Sequence, residues 1–264
     1  MKDCEDSRSQ PVGVFDSGIG GLSVLRELLR QLPNERFIYY ADSARMPYGE
    51  RPLSEVADFC REITRFFLTR NVKMAVVACN TASAAGLKIL RQEFPEIPFV
   101  GMEPAVKPAA EHTRCGKVGV LATAGTLRGE PYAGVVRRFA QGIEVHEQPC
   151  NGLAAMIEQN ASPEELRNRL TEWIAPLRKA GIDQLALACT HYPLILPLIR
   201  EIAGTGITVI DPAPAVARQA GRLLAERGIA AVSARREIPR TDFHASANRE
   251  LLLDAARRFG CADE

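Results

Sequence analysis

"LALACTHYPLI", Leu185–Ile195, sets four apolar residues in a row and then, without transition, a thiol, a hydroxyl and an imidazole at Cys189, Thr190 and His191. A short run that is apolar at every position, not every second one, is buried on both faces, as strands of a parallel sheet are. The same pattern recurs along the chain. Strand-like runs occupy Val12–Phe15, Arg36–Tyr40, Met74–Ala78, Phe99–Val100, Lys117–Leu121, Gly142–Glu147, Gln184–Ala188 and Thr208–Ile210. Amphipathic stretches alternate with them at Leu22–Gln31, Leu53–Arg70, Ala82–Glu93, Ala105–Glu111, Tyr132–Ala140, Pro163–Lys179, Leu194–Ala203 and Ala213–Arg227. Ser162 before Pro163-Glu164-Glu165 has the form of an N-cap, with proline at the first helical position and acids in the first turn. Strands alternating with helices predict an α/β fold with a mainly parallel sheet covered on both sides.

Composition narrows the function classes. The chain has 264 residues, long enough for one large domain or two small ones, with 46% hydrophobic and 25% charged residues. A net charge of +1 gives no electrostatic argument for nucleic acid or a membrane surface. The basic run Arg235, Arg236 and Arg240 reads as a solvated face. No apolar stretch approaches the roughly 18 residues of a membrane span. The polar N-terminus MKDCEDSRSQP lacks the apolar core of a signal peptide, so a cytoplasmic protein with a short flexible leader (residues 1–10) is expected. Seven cysteines, at positions 4, 60, 79, 115, 150, 189 and 261, are odd in number and irregular in spacing, and contain no CxxC pair. That favours reduced thiols over a disulfide framework, zinc or redox work.

The two halves echo each other. VGVFDSGIGGL (Val12–Leu22) returns as VGVLATAGTL (Val118–Leu127), and MAVVACNTAS (Met74–Ser83) as LALACTHYPL (Leu185–Leu194). Two landmarks in the same order at nearly the same offset suggest a pair of related α/β halves. Equivalent strand ends could then face each other across a cleft.

In open α/β sheets, ligands bind beyond the carboxyl ends of the strands. Asp16 and Ser17 stand at such an end, before Gly18, Gly20 and Gly21, which let the backbone pass close to a ligand. Ser23 occupies the place of the last glycine of GxGxxG, so this is not the dinucleotide fingerprint; a tight strand-to-helix turn capped by Asp and Ser is the lesser alternative. Asp42 ends another strand ahead of the turn Pro47-Tyr48-Gly49, where Tyr48 could add a hydroxyl. Cys79, Asn80, Thr81 and Ser83 lie where a helix begins, and a helix N-terminus raises the thiolate fraction of a cysteine. Cys189 holds the matching place in the second half. A single cysteine at a strand end is usually a packed residue. Two at matching places suit the inversion of a carbon centre, which needs a base on one face and an acid on the other.

These residues carry a family resemblance. FDSGIGGL, YYADSARMPYGERP, ACNTASA, GMEPAVKPA, GVLAT with its GT, and ACTHYPLI resemble the signature segments of the glutamate racemases, in the aspartate/glutamate racemase superfamily. They run in order from Val12 to about Asp211. The resemblance implies a cofactor-independent, metal-free isomerase that interconverts L- and D-glutamate and supplies D-glutamate for peptidoglycan, the polymer that sets cell shape. By position, Cys79 and Cys189 are then the paired acid and base, Cys79 for D-glutamate and Cys189 for L-glutamate. Asp16 and His191 assist their respective thiols. Ser17, Pro47, Tyr48, Gly49, Asn80, Thr81, Thr123 and Thr190 hold the substrate, with Asp42 as a supporting carboxylate. Glu158 aligns with an auxiliary glutamate, although PCNGLAAMIEQN departs from the bulky apolar residues usual there. The resemblance also implies a first domain of residues 11–103 plus 213–264, a second of 104–212, and a homodimer.

Rival readings predict different behaviour. Racemisation of aspartate needs only a shorter pocket, and spacing cannot measure pocket length. A decarboxylase on the same architecture needs one proton-donating thiol, and a two-lobed binding protein needs none. A Cys–His hydrolase built on Cys189 and His191 is disfavoured by their separation, since neighbours two apart on a chain rarely point together.

Overall fold

The computed structural model describes residues 7–232 and 241–262. Cys4 and the run Arg235, Arg236 and Arg240 lie outside the described residues. The strands among the described residues are β1 (Val12–Asp16), β2 (Phe37–Ala41), β3 (Met74–Val77), β4 (Phe99–Gly101), β5 (Lys117–Ala122), β6 (Glu144–Pro149), β7 (Gln184–Ala188), β8 (Thr208–Ile210) and β9 (Thr241–Ala245). The helices are α1 (Leu22–Gln31), α2 (Leu53–Thr69), α3 (Asn80–Glu93), α4 (Val106–His112), α5 (Ala124–Arg128), α6 (Glu130–Phe139), α7 (Leu153–Glu158), α8 (Pro163–Ala180), α9 (Leu196–Ala203), α10 (Ala213–Glu226) and α11 (Arg249–Arg258). They fall into two compact units: one runs to Met102 and resumes at Ala213, and the other is Glu103–Pro212.

In the first unit the strand order is β4-β3-β1-β2-β9, and every pairing is parallel. All five residues of β1 are buried, as a strand covered on both faces must be. One face packs Phe15, Ile38, Ala75, Val77 and Phe99 against Val56, Cys60, Ile63 and Phe67 of α2 and Leu90 of α3. The α2 residues recur every three or four positions, the spacing of a helix with one buried stripe. Gly13 is required here: a Cβ on it would stand 2.7 Å from the Phe67 ring.

In the second unit the order is β6-β5-β7-β8, again all parallel. The first four strands of the two units therefore share one order, β4-β3-β1-β2 matching β8-β7-β5-β6. Val118, Val120, Ala122, Ala186 and Ala188 form a core with Val106 and Ala109 of α4 and Tyr132 and Val135 of α6. Ser162 and Glu165 form a reciprocal capping box at the start of α8, with Pro163 in the first turn.

Four elements were not anticipated: α5, α7, α11 and β9. The two short helices give too few turns for a periodic stripe. β9 pairs only with β2, and it buries Phe243 alone of its five residues.

A buried ion pair ties distant segments of the first unit together. Lys73 Nζ lies 2.6 Å from Glu35 Oε2, with both side chains almost fully enclosed. The ammonium also donates to the Arg8 and Ile229 carbonyls, while Glu35 Oε1 accepts from Ala231 N. Arg8 Nε donates in turn to the Gly228 carbonyl at 3.0 Å, so the chain just before β1 is held at the end of α10. Removing one ion of such a pair leaves the other buried without compensation, at about 3–5 kcal/mol. Lys73→Met is expected to lose stability on that scale in urea unfolding, and Lys73→Met with Glu35→Leu to recover part of it. No recovery in the double variant would argue against a charge penalty as the cause.

Candidate active site

The polar residues picked out from the sequence gather at the carboxyl ends of the central strands, one group in each unit. In the first unit the register is Phe15 beside Val77 and Asp16 beside Ala41. Asp16, Asp42 and Cys79 therefore leave neighbouring strands within one or two residues of each other. Asp16 is fully buried, and its Oδ2 accepts the Gly21 amide at 2.6 Å, holding the loop that leads into α1. Tyr39 reaches the same loop and donates to the Gly18 carbonyl at 2.7 Å. A Cβ on Gly21 would meet the Tyr39 hydroxyl at 2.7 Å and Asp16 Cβ at 2.8 Å, so only glycine passes there. Ser17 Oγ lies 3.5 Å from Asp16 Oδ1.

Asp42 is buried and receives two charge-assisted bonds, from Arg45 Nε at 2.7 Å and from the Tyr48 hydroxyl. The Tyr48 side chain is thus committed inward. Burial, followed by the Asp42 charge, drives its phenol far above the usual range, so it is a neutral donor at any working pH. What Pro47-Tyr48-Gly49 can offer a ligand is backbone, since the Tyr48 hydroxyl is already used.

Cys79 caps α3: its Sγ accepts the Ala82 amide at 3.4 Å, the geometry that N-terminal donors give a thiolate. Asn80, Thr81 and Ser83 behind it are buried. Ser83 is structural, donating to the Val77 carbonyl and accepting from Met102 N. Asn80 is different, because neither its amide nitrogen nor its oxygen has a protein partner although both are enclosed. A buried carboxamide without bonds costs free energy, and a polar ligand beside the Cys79 thiol would relieve it.

In the second unit Ala122 is in register with both Pro149 of β6 and Ala188 of β7. The next residues along, Cys150, Thr123 and Cys189, therefore stand abreast where three strands end. Thr123 caps α5 by accepting the Thr126 amide at 3.2 Å. Cys189, Thr190 and His191 are all buried. After β7 the chain turns at once into a tight helical turn, Tyr192–Ile195, and this folds His191 back over the cysteine. His191 Nδ1 lies 3.8 Å from Cys189 Sγ, and Nε2 lies 2.7 Å from Glu158 Oε1 at the end of α7. The expectation that residues two apart would not point together is corrected: the abrupt turn brings thiol and imidazole into contact. Burial pulls the imidazole toward its neutral form, but the Cys189 sulfur and the Glu158 carboxylate outweigh it and hold the group well above its ordinary value.

Sequence reasoning left out two residues here. Cys150 and Tyr192 are both buried. The Tyr192 of ACTHYPLI was in view, but nothing in its spacing gave it a role. Six cysteines among the described residues carry free thiols, and of these only Cys115 is exposed. Among the described residues no helix is long and apolar enough to cross a membrane.

The chain is similar to known proteins over most of its length. The profile of the Asp/Glu/Hydantoin racemase family matches residues 12–220. A glutamate racemase of Roseiflexus sp. (strain RS-1) is 50% identical over 226 residues, covering 85% of this chain and 83% of its own. That of Stutzerimonas stutzeri is 48% identical over 232 residues, covering 88% and 86%. Among solved structures, a glutamate racemase isoform from Bacillus anthracis superposes with a TM-score of 0.84 at 34% identity, covering 96% of this chain and 94% of that one. The Escherichia coli glutamate racemase, solved with L-glutamate and the activator UDP-MurNAc-Ala, gives 0.82 at 32% identity, covering 95% of each.

The raised imidazole makes a titration test. In the intact protein, the His191 ring resonances are expected to stay in the charged form through the range near pH 6.5 where free imidazole titrates. Glu158→Gln removes one of the two partners, so the NMR midpoint should fall. Because the folded value is raised, the pair's stabilisation is complete below about pH 6.5 and fades as pH climbs through the folded value. Thermal melts of Glu158→Gln should thus show the larger deficit at low pH. An unchanged midpoint would remove Glu158 as a cause.

Proposed function

The chain belongs to the Asp/Glu/hydantoin racemase family, as an isomerase of the glutamate racemase type, and we propose that it interconverts L- and D-glutamate by passing the α-proton between Cys79 and Cys189. The observation that carries this reading is the repeated construction of the site. Two sheets of the same strand order each end a central strand in a buried thiol, at β3 and at β7, and each thiol sits among polar groups. The scheme requires one thiol at each face of the substrate carbon.

The α-proton of an amino acid is a weak acid, so removing it takes a strong base and a site that tolerates the developing negative charge. A thiolate on one face withdraws the proton while a thiol on the other delivers one, and the product enantiomer leaves the two sulfurs with exchanged protonation. Cys79 acts on D-glutamate and Cys189 on L-glutamate. Around Cys79, the first amides of α3 and the unpartnered Asn80 carboxamide offer donors to a carboxylate, with Ser17, Thr81 and the backbone of Pro47-Tyr48-Gly49 nearby in the same unit. Asp42 keeps that loop set through Tyr48, and Asp16, which holds the loop into α1, supports the Cys79 side. Around Cys189, Thr123 and Thr190 supply hydroxyls. His191, held by Glu158, orients the sulfur and exchanges protons with it. No cofactor or metal takes part in this scheme. The product would supply peptidoglycan synthesis in the cytoplasm, with the enzyme working as a homodimer.

Proton NMR in D2O tests the reaction directly. Either glutamate enantiomer should exchange its α-hydrogen with solvent and racemise without any added cofactor, while aspartate should not be preferred. Cys79→Ala and Cys189→Ala should each lower racemisation by at least the 10²–10⁴-fold that general acid–base groups contribute, with the fold unchanged by circular dichroism. Full racemisation by either variant would end the two-thiol scheme, and preference for aspartate would move the substrate assignment.

Asn80 supplies a second measurement. Loss of one hydrogen bond to a charged ligand group is worth about 1.5–3 kcal/mol, so Asn80→Ala should reduce kcat/KM roughly 10- to 100-fold. Unaltered kcat/KM would show that the carboxamide does not touch substrate.

A further inference from the structure

The loop between β2 and α2 carries Pro47-Tyr48-Gly49, and its flanking residues hold it at several points. Asp42 opens the loop and is fully buried. Its Oδ2 accepts from Arg45 Nε at 2.7 Å and from the Tyr48 hydroxyl, while Oδ1 is enclosed without a protein partner. Among the described residues, Arg45 is the one cation that forms an ion pair with Asp42. The Arg45 guanidinium also stands over the Phe59 ring of α2, 4.2 Å from its centroid, and its Nη1 reaches Glu62 of the same helix. The Tyr48 ring packs on Phe59 too, with centroids 5.6 Å apart. Arg45 and Tyr48 thus share two partners, Asp42 and Phe59. Arg51 closes the far side: its Nε donates to the Arg45 carbonyl at 2.6 Å, and its amide donates to the Tyr48 carbonyl at 3.1 Å. The segment 46–50 is therefore buckled at both ends onto Arg45.

We propose that Arg45 is a positioning residue for substrate binding: its guanidinium, fixed between Asp42, Glu62 and the Phe59 ring, sets the Pro47-Tyr48-Gly49 backbone on which the substrate rests. This rests on the reading of that backbone as part of the glutamate site. The three partners differ in weight. The Glu62 side chain is 60% exposed, so its ion pair contributes little. Asp42 is fully enclosed, and a buried carboxylate deprived of its cation is strongly penalised. Phe59 adds a cation–π attraction, which strengthens where water is excluded. Without Arg45, Asp42 would relieve its charge by taking a proton, and a neutral acid accepts the Tyr48 hydroxyl less strongly than a carboxylate does. Arg45 is not itself aimed at the substrate, because Nε, Nη1 and one face of the guanidinium are already engaged. A planar fork can meet Asp42 and Glu62 while standing over a ring; a lysine ammonium is a point charge on a flexible stem and cannot. The loop touches bound substrate and transition state alike, so loosening it removes uniform binding and acts on KM, not kcat.

The test compares Arg45→Lys, which keeps the charge and loses the fork, with Arg45→Met, which loses both. Steady-state racemisation of each glutamate enantiomer and the melting temperature are measured on the full chain. Arg45→Lys is expected to raise KM roughly 10-fold, the scale of one weakened charge-assisted contact, with kcat held within about threefold. Its melting temperature should stay close to that of the intact protein, whereas Arg45→Met should raise KM at least as far and also melt earlier. Amide NMR locates the effect: the Tyr48 and Gly49 resonances should move when glutamate is added to the intact protein, and should already be displaced in ligand-free Arg45→Lys. An unaltered KM in Arg45→Lys would overturn the proposal, even if Arg45→Met raised it, because the effect would then follow lost stability. So would a kcat that falls as far as KM rises, since that would put the guanidinium at the reacting atoms. Failure of the underlying reading looks different: glutamate would leave the Tyr48 and Gly49 amides of the intact protein unmoved, whatever the Arg45 variants do.

Discussion

A parallel sheet covered on both faces can present polar groups in only one kind of place, the ends of its strands. Everywhere else, a side chain with charge or hydrogen-bonding capacity would be taken from water without compensation. Apart from Lys117 and Gln184, which open β5 and β7, the residues of β1, β5 and β7 are apolar up to Asp16, Thr123 and Cys189. Register then decides which polar residues become neighbours. Asp16, Asp42 and Cys79 leave adjacent strands together in one unit, and Cys150, Thr123 and Cys189 do so in the other. The close approaches that make this possible are backbone ones, such as Gly13 against Phe67 and Gly21 against Tyr39.

The same burial creates a chemical problem for a thiol. Cys60, Cys150 and Cys261 show the default: enclosed in low-dielectric surroundings, each is pushed to about 12 and is inert as a base. Cys79 and Cys189 are just as enclosed, and each has a nitrogen beside its sulfur. Cys79 Sγ takes an amide from the first turn of α3. Cys189 has an imidazole that Glu158 and the sulfur itself hold in its charged form. On the proposed reading, those hydrogen bonds at a strand end separate a working cysteine from a packed one.

This explains which features could be read from the chain alone. The alternation of apolar runs with amphipathic stretches was enough for eight strands, for the helices that connect them and for the parallel order, because burial on both faces leaves a mark at every position. The thiols stood out because a polar triplet after such a run has few structural uses. Local contacts left no such mark. That Tyr48 spends its hydroxyl on Asp42 and that His191 folds back onto Cys189 both depend on turn geometry over a few residues. β9 was missed because an edge strand with one buried residue looks like a loop.

The two thiols are alike in position and unlike in company, and on the proposed reading that asymmetry is permitted by the substrate. Enantiomers have equal free energy in water, so the ratio of kcat/KM in the two directions is fixed at one whatever residues surround each sulfur. A carboxylate beside one thiol and an imidazole beside the other can give the two directions different kcat and KM values, but never different kcat/KM. Selection could therefore solve the problem of a buried thiolate twice, by different means, without biasing the reaction. In the first unit the solution uses backbone amides at a helix start, which carry no titration of their own. In the second, β7 is followed by a tight turn (Tyr192–Ile195) before α9 begins, and the His191 side chain ahead of that turn takes the part that the first amides of α3 play for Cys79. The Cys189 side should accordingly be the more sensitive of the two to pH.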